Sequence, residues 1–317
     1  MRTRLLSLIC FFCLSALISA APATLGLWAR GNISLYDQEG KVSTGPSWVG
    51  QGAYNELGLS WAGTSSGWSA LAMYGADGGP SAFLDSFRYY FRFLDKKLKL
   101  SFGKPRIDDY RISSYIDDIG YGSRIFTGEH GFLLQAYPAP GLSLAGGFQV
   151  PLETMNAADV YDNFRLAASY SIDKVGVFNA GYLNDIDRQA FFSTALHFLD
   201  PVRLLLGYKG YFDGSGVQYA YGSAKASAGS LNFYLDLLGR FSSDFRYEVT
   251  TLVSYSRPAF TVGSSLWWVS QTLKIGCTPY VSAKVPNGFV RLGYRWAYAF
   301  DGDLPTWSVP LTYELSF

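Results

Sequence analysis

Basic side chains recur at alternate positions in segments that are otherwise rich in large apolar residues. In residues 84–94, Arg88 and Arg92 alternate with aromatic side chains, and in residues 288–298 Arg291 and Arg295 do the same. Rows of like charge select ions and solutes by the sign of their charge, without forming or breaking bonds. The chemistry that these residues support is therefore the selection of charged solutes.

Catalysis has much less support in the sequence. Two histidines occur, His130 beside Glu129 and His197 close to the turn at residues 199–202. An enzyme would need a nucleophile, a positioned base and a group that orients the base. There is no Gly-rich phosphate loop, paired-cysteine metal site or nucleophile elbow in the sequence. We therefore expect neither enzymatic activity nor a cofactor or metal.

The segments that carry the basic residues alternate at period two, in blocks of about 9 to 11 residues, the length of a tilted transmembrane strand. The pattern predicts eighteen strands, and three of them (67–75, 175–183 and 259–267) alternate poorly enough to leave sixteen as an alternative. The predicted strands are residues 25–35, 52–62, 67–75, 83–93, 97–104, 131–138, 142–150, 162–171, 175–183, 189–198, 202–212, 217–227, 230–240, 245–255, 259–267, 272–284, 288–298 and 308–317.

The connections between the predicted strands alternate in kind. Every second link is a tight turn, such as residues 138–141 and 285–288, whereas the links between them tend to be longer and acidic, such as residues 36–51. Short turns on one rim and long loops on the other are typical of a single-domain, all-β antiparallel transmembrane barrel with periplasmic turns. A secreted soluble sandwich or propeller would also alternate, but its polar faces would not be rich in small residues and arginine.

The N-terminal segment indicates export. Residues 1–20 carry two arginines, an apolar run and small residues, as in a signal peptide cleaved after Ala20 or Ala23, which leaves residues 21–317 as the barrel. Removing them leaves a nearly neutral chain, which gives no support to nucleic-acid binding. Cys277 then remains alone, so no intrachain disulfide can form.

The last seven residues, LTYELSF, place Leu311, Tyr313, Leu315 and Phe317 on one face. This pattern resembles the C-terminal strand of outer-membrane β-barrel proteins, and the whole architecture resembles general porins. The resemblance implies that the barrel-assembly machinery recognises the strand ending at Phe317 and that this strand closes on the first. It also implies an outer-membrane location, contact with membrane lipid, passage of small solutes, and homotrimers, which porins often form.

A barrel in lipid turns its apolar residues outward and its polar residues toward the lumen, which predicts a basic inner wall that favours anions. Arginines of this kind can instead serve only to pair with acids on neighbouring strands, as Glu314 could pair with Arg291 or Arg295. The predicted pore-lining residues are Arg88, Arg92, Arg165, Arg203, Lys209, Arg291, Arg295 and Glu314.

The longest link, residues 105–130, is the third long connection, and in general porins the third outer loop folds into the barrel. An acidic loop that faced a basic wall would create a transverse field at a constriction. The alternative is that its acids are simply solvated. The predicted constriction residues are Arg106, Asp108, Asp109, Arg111, Asp117, Asp118 and Glu129.

These features predict a porin through which small hydrophilic solutes or ions diffuse passively. A substrate-specific outer-membrane channel and an adhesin that acts through its loops are the alternatives. A channel for apolar substrates should have an apolar lumen, and an adhesin should have much larger loops.

Overall fold

The computed structural model describes residues 24–38, 55–74, 82–104, 130–149, 162–184, 188–197, 201–301 and 304–317, with residues 106–107, 109–113, 115, 120–121 and 126–127 of the long connection. Eighteen long strands lie within these residues, so the eighteen-strand prediction is confirmed and the sixteen-strand alternative is wrong. The strands are β1 (Thr24–Asp37), β2 (Asn55–Ala62), β3 (Ser66–Tyr74), β4 (Ala82–Phe93), β5 (Leu98–Lys104), β6 (Gly131–Ala139), β7 (Leu142–Gln149), β8 (Phe164–Ile172), β9 (Gly176–Leu183), β10 (Gln189–Leu196), β11 (Val202–Tyr211), β12 (Gln218–Ala228), β13 (Leu231–Phe241), β14 (Arg246–Ser256), β15 (Phe260–Val269), β16 (Lys274–Val285), β17 (Gly288–Gly293 and Arg295–Ala299) and β18 (Thr306–Ser316).

Each strand pairs antiparallel with the next one in sequence, and β18 pairs with β1, so the sheet closes on itself. At the seam, the Leu27 amide donates to the Phe317 carbonyl over 3.0 Å, and the Phe317 amide donates to the Leu27 carbonyl over 2.6 Å. A closed sheet leaves no edge of unpaired backbone groups, which is the condition for strands to cross hydrocarbon.

Strand β17 is interrupted at Tyr294, although its register does not change. Gly293 pairs with Tyr280 and Trp296 pairs with Cys277, which is one continuous alignment. In this alignment Pro279 on β16 and Pro310 on β18 lie on either side of the interruption. Proline has no backbone N–H, so each of these neighbours lacks one ladder donor.

In this sheet many apolar side chains are exposed and many polar side chains are buried, which is the reverse of a soluble protein. On β8, Leu166 is 51% exposed, whereas the neighbouring Arg165 is 3% exposed. The buried polar set includes Ser101, Gln135, Gln149, Ser193, Asp236, Ser265, Thr278 and Thr312, and the exposed apolar set includes Leu27, Leu59, Leu134, Leu206, Leu237, Leu266, Val281 and Leu292. Apolar residues therefore face outward around the barrel, which rules out the soluble sandwich or propeller.

The links at one rim are short throughout, whereas the links at the other rim range from four residues to the long connection after β5. Short turns lie between β2 and β3, β4 and β5, β6 and β7, and so on to β16 and β17, and the start of β1 and the end of β18 lie on this rim. The turn at residues 94–97 holds Leu94, Asp95 and Lys96 at positive φ. Gly141 also has φ +77°, and a Cβ there would lie 2.3 Å from the Ser171 carbonyl oxygen, so this turn requires glycine.

No helix among the described residues has the length and apolarity needed to cross a membrane.

Candidate functional site

The inner face of the barrel brings basic residues from neighbouring strands directly opposite one another. Arg92 on β4 pairs with Lys99 on β5, and Arg203 on β11 pairs with Lys225 on β12. Arg240 on β13 likewise pairs with Arg246 on β14. Like charges in such pairs destabilise a sheet, so the wall stores electrostatic repulsion that an anion in the lumen would relieve.

The side chains of Arg88, Arg92 and Lys99 lie around one tyrosine ring. Lys99 Nζ lies 5.2 Å from the centre of the Tyr90 ring, and the guanidinium carbons of Arg92 and Arg88 lie 4.9 and 5.8 Å from it. The Tyr90 ring is itself fixed, because it lies over Gly67 of the adjacent strand. We call these four residues the Tyr90 cation cluster.

Two further groups of cations also contact inward-facing aromatic rings. Lys209 Nζ lies 5.1 Å from the Tyr211 ring centre and 5.5 Å from that of Tyr219, and Lys225 Nζ lies 5.3 Å from that of Tyr234. Contact with a ring face stabilises a cation by about 0.5–1 kcal/mol at exposed sites. These rings therefore hold the lysine side chains in defined positions along the wall.

On β17 the same arrangement holds two arginines. The Arg291 guanidinium carbon lies 4.6 Å from the Tyr280 ring centre and 4.9 Å from that of Phe289, and Arg295 lies 5.4 Å from the Trp267 ring centre. Five of the predicted pore-lining residues thus have aromatic partners on the inner face, namely Arg88, Arg92, Lys209, Arg291 and Arg295.

The long connection contacts this inner face through Asp109 and Tyr110. The Tyr110 side chain is 1% exposed, and its hydroxyl lies 2.7 Å from Ser143 Oγ on β7. Gln135 Nε2 on β6 donates to the Tyr110 hydroxyl over 3.2 Å and to Asp109 Oδ2 over 3.0 Å. Asp109 Oδ2 also lies 3.8 Å from Lys99 Nζ. Burial raises the pKa of Tyr110, so its hydroxyl stays protonated and can donate.

A second contact follows a few residues later. The Tyr115 amide donates to Ser223 Oγ on β12 over 3.2 Å, and Ile112 and Tyr115 pack against a buried cluster that contains Leu205 and Tyr221. Residues 109–113 and 115 therefore lie along the inner face from β5 to β13, where the Tyr115 ring centre lies 6.4 Å from that of Tyr234. Two short ribbons, Arg106–Ile107 with Phe126–Thr127 and Ile112–Ser113 with Gly120–Tyr121, show that the connection doubles back on itself.

The other predicted residues have different surroundings. Arg165 is almost fully buried on β8, where it pairs in register with Leu183, and Arg203 lies near Tyr115. Glu314 lies opposite Arg30 on β1 and Phe289 on β17. Arg111 is half-buried, only the backbone of Arg106 is described, and Asp108, Asp117, Asp118 and Glu129 lie outside the described residues.

The analysis of the sequence missed Lys225 and most of the inward tyrosines. Lys225 alternates with Tyr221 and Ser223 on β12, so period two alone could have found it. The tyrosines gave a weaker signal, since tyrosine occurs on both faces of a barrel strand and its direction depends on the register.

Neither histidine has a catalytic arrangement in the described part of the chain. The His130 ring meets the Phe87 ring edge-on at 6.1 Å, and His197 is exposed. The same residues contain no group of three or more His, Cys, Asp or Glu side chains that could hold a metal ion.

Comparisons with solved structures identify the fold as that of porins. No protein-family model matches the sequence, and no curated protein matches it. Among solved structures, Pseudomonas aeruginosa OccK3 superposes with a TM-score of 0.62 at 11% identity, covering 93% of this chain and 96% of that one. A BenF-like porin from Pseudomonas fluorescens gives 0.61 at 14% identity, with 94% and 98% covered. A triple mutant of the Rhodopseudomonas blastica porin gives 0.57 at 13% identity, with 93% and 100% covered. At these identities the similarity shows the fold alone.

Proposed function

We propose that this chain is an outer-membrane porin through which small hydrophilic solutes and ions diffuse passively. The observation that carries the proposal is the reversal of the two faces, apolar and exposed outside, polar and charged inside. Such a barrel is stable in lipid and encloses a surface that water can wet. Its similarity to the porin fold over almost the whole chain supports the same function.

The inner wall gives this channel a preference for anions. Basic residues outnumber acidic ones on the described inner face, where the acids are Asp236, Glu248 and Glu314. Asp236 accepts a hydrogen bond from Ser223 and is 1% exposed, so its carboxylate does not contact a passing solute directly. A positive wall concentrates anions and repels cations along the passage.

The long connection narrows the passage in this proposal. Its contacts through Asp109, Tyr110 and Tyr115 hold it against the inner face from β5 to β13, so solutes pass between it and the wall formed by β14–β18 and β1–β4. Arg165 is almost fully buried on β8, so the cations of β4 and β17 are the ones that face solutes in this proposal. Asp109 provides a carboxylate opposite basic groups, as a transverse field requires.

The route to the membrane follows from the same proposal. Residues 1–20 direct export and are removed, and the assembly machinery inserts the barrel through its C-terminal strand. Homotrimers remain part of the proposal because porins often form them.

A substrate-specific channel is the second candidate. The aromatic rings that fix individual cations favour it, because a passive pore needs charge but not fixed charge positions. The adhesin alternative is not favoured, since several outer links are short, as at residues 242–245 and 270–273.

Planar bilayers test the proposed function. The purified protein should produce stepwise increases in conductance, and a potassium chloride gradient should give a reversal potential of the sign that anion permeation produces. The matched control is the same detergent preparation from cells that lack the protein. A properly folded protein that produces no conductance steps would overturn the proposal.

A further inference from the structure

The Tyr90 cation cluster brings three positive charges close together around one tyrosine ring. Arg88 and Arg92 flank Tyr90 at alternate positions on β4, and Lys99 lies directly opposite Arg92 on β5. All three charged groups lie within 5.8 Å of one ring centre. Lys99 is 8% exposed, so water does little to screen its charge from the neighbouring arginines.

Compensating charge within the described residues is small. The Asp109 carboxylate lies 3.8 Å from Lys99 Nζ and also accepts a hydrogen bond from Gln135, so it is shared between two groups. Among the described residues, nothing accepts a hydrogen bond from the buried Nε of Arg88. The cluster therefore keeps an excess of about two positive charges and an unused donor.

The residues paired with Arg88 on the two neighbouring strands are small. On the inner face Arg88 lies between Ser69 on β3 and Gly103 on β5. The guanidinium forks, fixed by the tyrosine ring, can each donate two parallel hydrogen bonds to one oxyanion.

We propose that the Tyr90 cation cluster binds a tetrahedral oxyanion with two negative charges, namely phosphate or the phosphoryl group of a small solute. The site deepens the proposed function and rests on it, because solutes reach it through the lumen. Two guanidinium groups and one ammonium group match a dianion in charge and supply more donors than a monoanion can use. The loop residue Asp109 lies at the edge of the site, where a bound anion would displace it from Lys99.

Block of the chloride current by inorganic phosphate tests the site. In the wild-type channel, phosphate added to potassium chloride should lower the current and saturate, sulfate should act similarly, and nitrate should not. The variant that combines Arg88→Gln and Arg92→Gln should need at least about tenfold more phosphate for half block, since each lost charged hydrogen bond corresponds to about tenfold in affinity. The combination of Arg291→Gln and Arg295→Gln removes the same charge elsewhere on the wall and is the matched control, so it should raise the half-block concentration clearly less, through the weaker wall field alone.

The outcomes separate this inference from the proposed function. Absence of conductance in the wild-type protein would defeat the proposed function, whereas a conducting, anion-preferring channel that phosphate does not block would defeat only the site. Equal block by nitrate and phosphate, or equal weakening in the two double variants, would also overturn it. Slower migration of the unheated variants than of the unheated wild-type protein on SDS gels would reveal misfolding. In that case the combination of Arg88→Lys and Arg92→Lys, which keeps the charge, replaces the glutamine variants. It should retain part of the phosphate block.

Glucose 6-phosphate distinguishes the two sources of the dianion. Block by phosphate and the ester at similar concentrations supports a site for phosphoryl groups on larger solutes. Block by phosphate alone supports a site for the free inorganic anion.

Discussion

Single hydrogen bonds hold the long connection to the wall, and Tyr110 makes the best defined of them. Its hydroxyl meets Ser143 Oγ on β7 and accepts from Gln135 on β6, while its ring is buried among apolar side chains. These partners lie 33 and 25 residues away along the chain. No periodicity in the sequence could have paired them, because period two fixes the face of a residue but not its height on the wall.

Replacing Tyr110 by phenylalanine should loosen this contact while keeping the buried ring. We expect a loss of about 1–2 kcal/mol in the free energy of unfolding, the cost of leaving buried polar partners unsatisfied. Urea titration of the detergent-solubilised barrel, followed by tryptophan fluorescence, measures it. Frequent brief changes in single-channel current should accompany the loss.

The variant Ser143→Ala provides the control for Tyr110→Phe. If the two groups act through one hydrogen bond, the double variant should cost clearly less than the sum of the single variants. Strictly additive losses would show that Tyr110 stabilises the barrel through other contacts.

At the scale of strands, inward aromatic rings lie over glycines of the adjacent strand. The Trp267 indole covers Gly276, where a Cβ would lie 2.2 Å from the ring, and Trp28 covers Gly58 in the same way. Such pairs bury ring surface against exposed backbone and fix the register of the two strands.

Replacing Gly276 by alanine should therefore destabilise the barrel by about 1–3 kcal/mol, because the added methyl group forces the Trp267 ring out of its position. Gly222 on β12 is the matched control, since a Cβ there would meet nothing closer than Leu237 Cβ at 4.0 Å. Gly222→Ala should be nearly neutral. Urea midpoints of the two variants measure the difference, and equal midpoints would show that the ring contact adds nothing.

The strand scale also shows how far the sequence could predict the fold. Alternation and turn spacing were enough to predict eighteen strands, because the side-chain period of two within each strand decides which residues face outward. The interruption of β17 depends on Pro279 and Pro310 of neighbouring strands, which the sequence of β17 does not show. A row of outward-facing aromatic residues, paired from strand to strand, also crosses seven strands. This row, from Trp61 through Trp68, Tyr89, Phe102, Phe132 and Phe148 to Phe164, depends on lateral pairing that a local pattern does not contain.

For the whole molecule, ion preference depends on the sum of the wall charges rather than on any one of them. A unit charge about 8 Å from a passing ion contributes about 0.5 kcal/mol in water, or about twofold in local ion concentration. The arginines of β4 and those of β17 lie on strands separated by β18, β1, β2 and β3 around the closed sheet, so their effects should combine.

Replacing both Arg291 and Arg295 by glutamine should then lower the ratio of anion to cation permeability about sixteenfold before screening by salt, because each lost charge about halves the local anion concentration and doubles that of cations. Replacing Arg88 and Arg92 as well should lower the ratio further. Reversal potentials under a potassium chloride gradient measure the ratio. The effect should be largest near 0.1 M salt, where the screening length is about 10 Å, and small near 1 M, where it is about 3 Å. A change that persists at high salt would indicate altered pore shape, and an unchanged ratio at low salt would mean that these arginines do not face the passage.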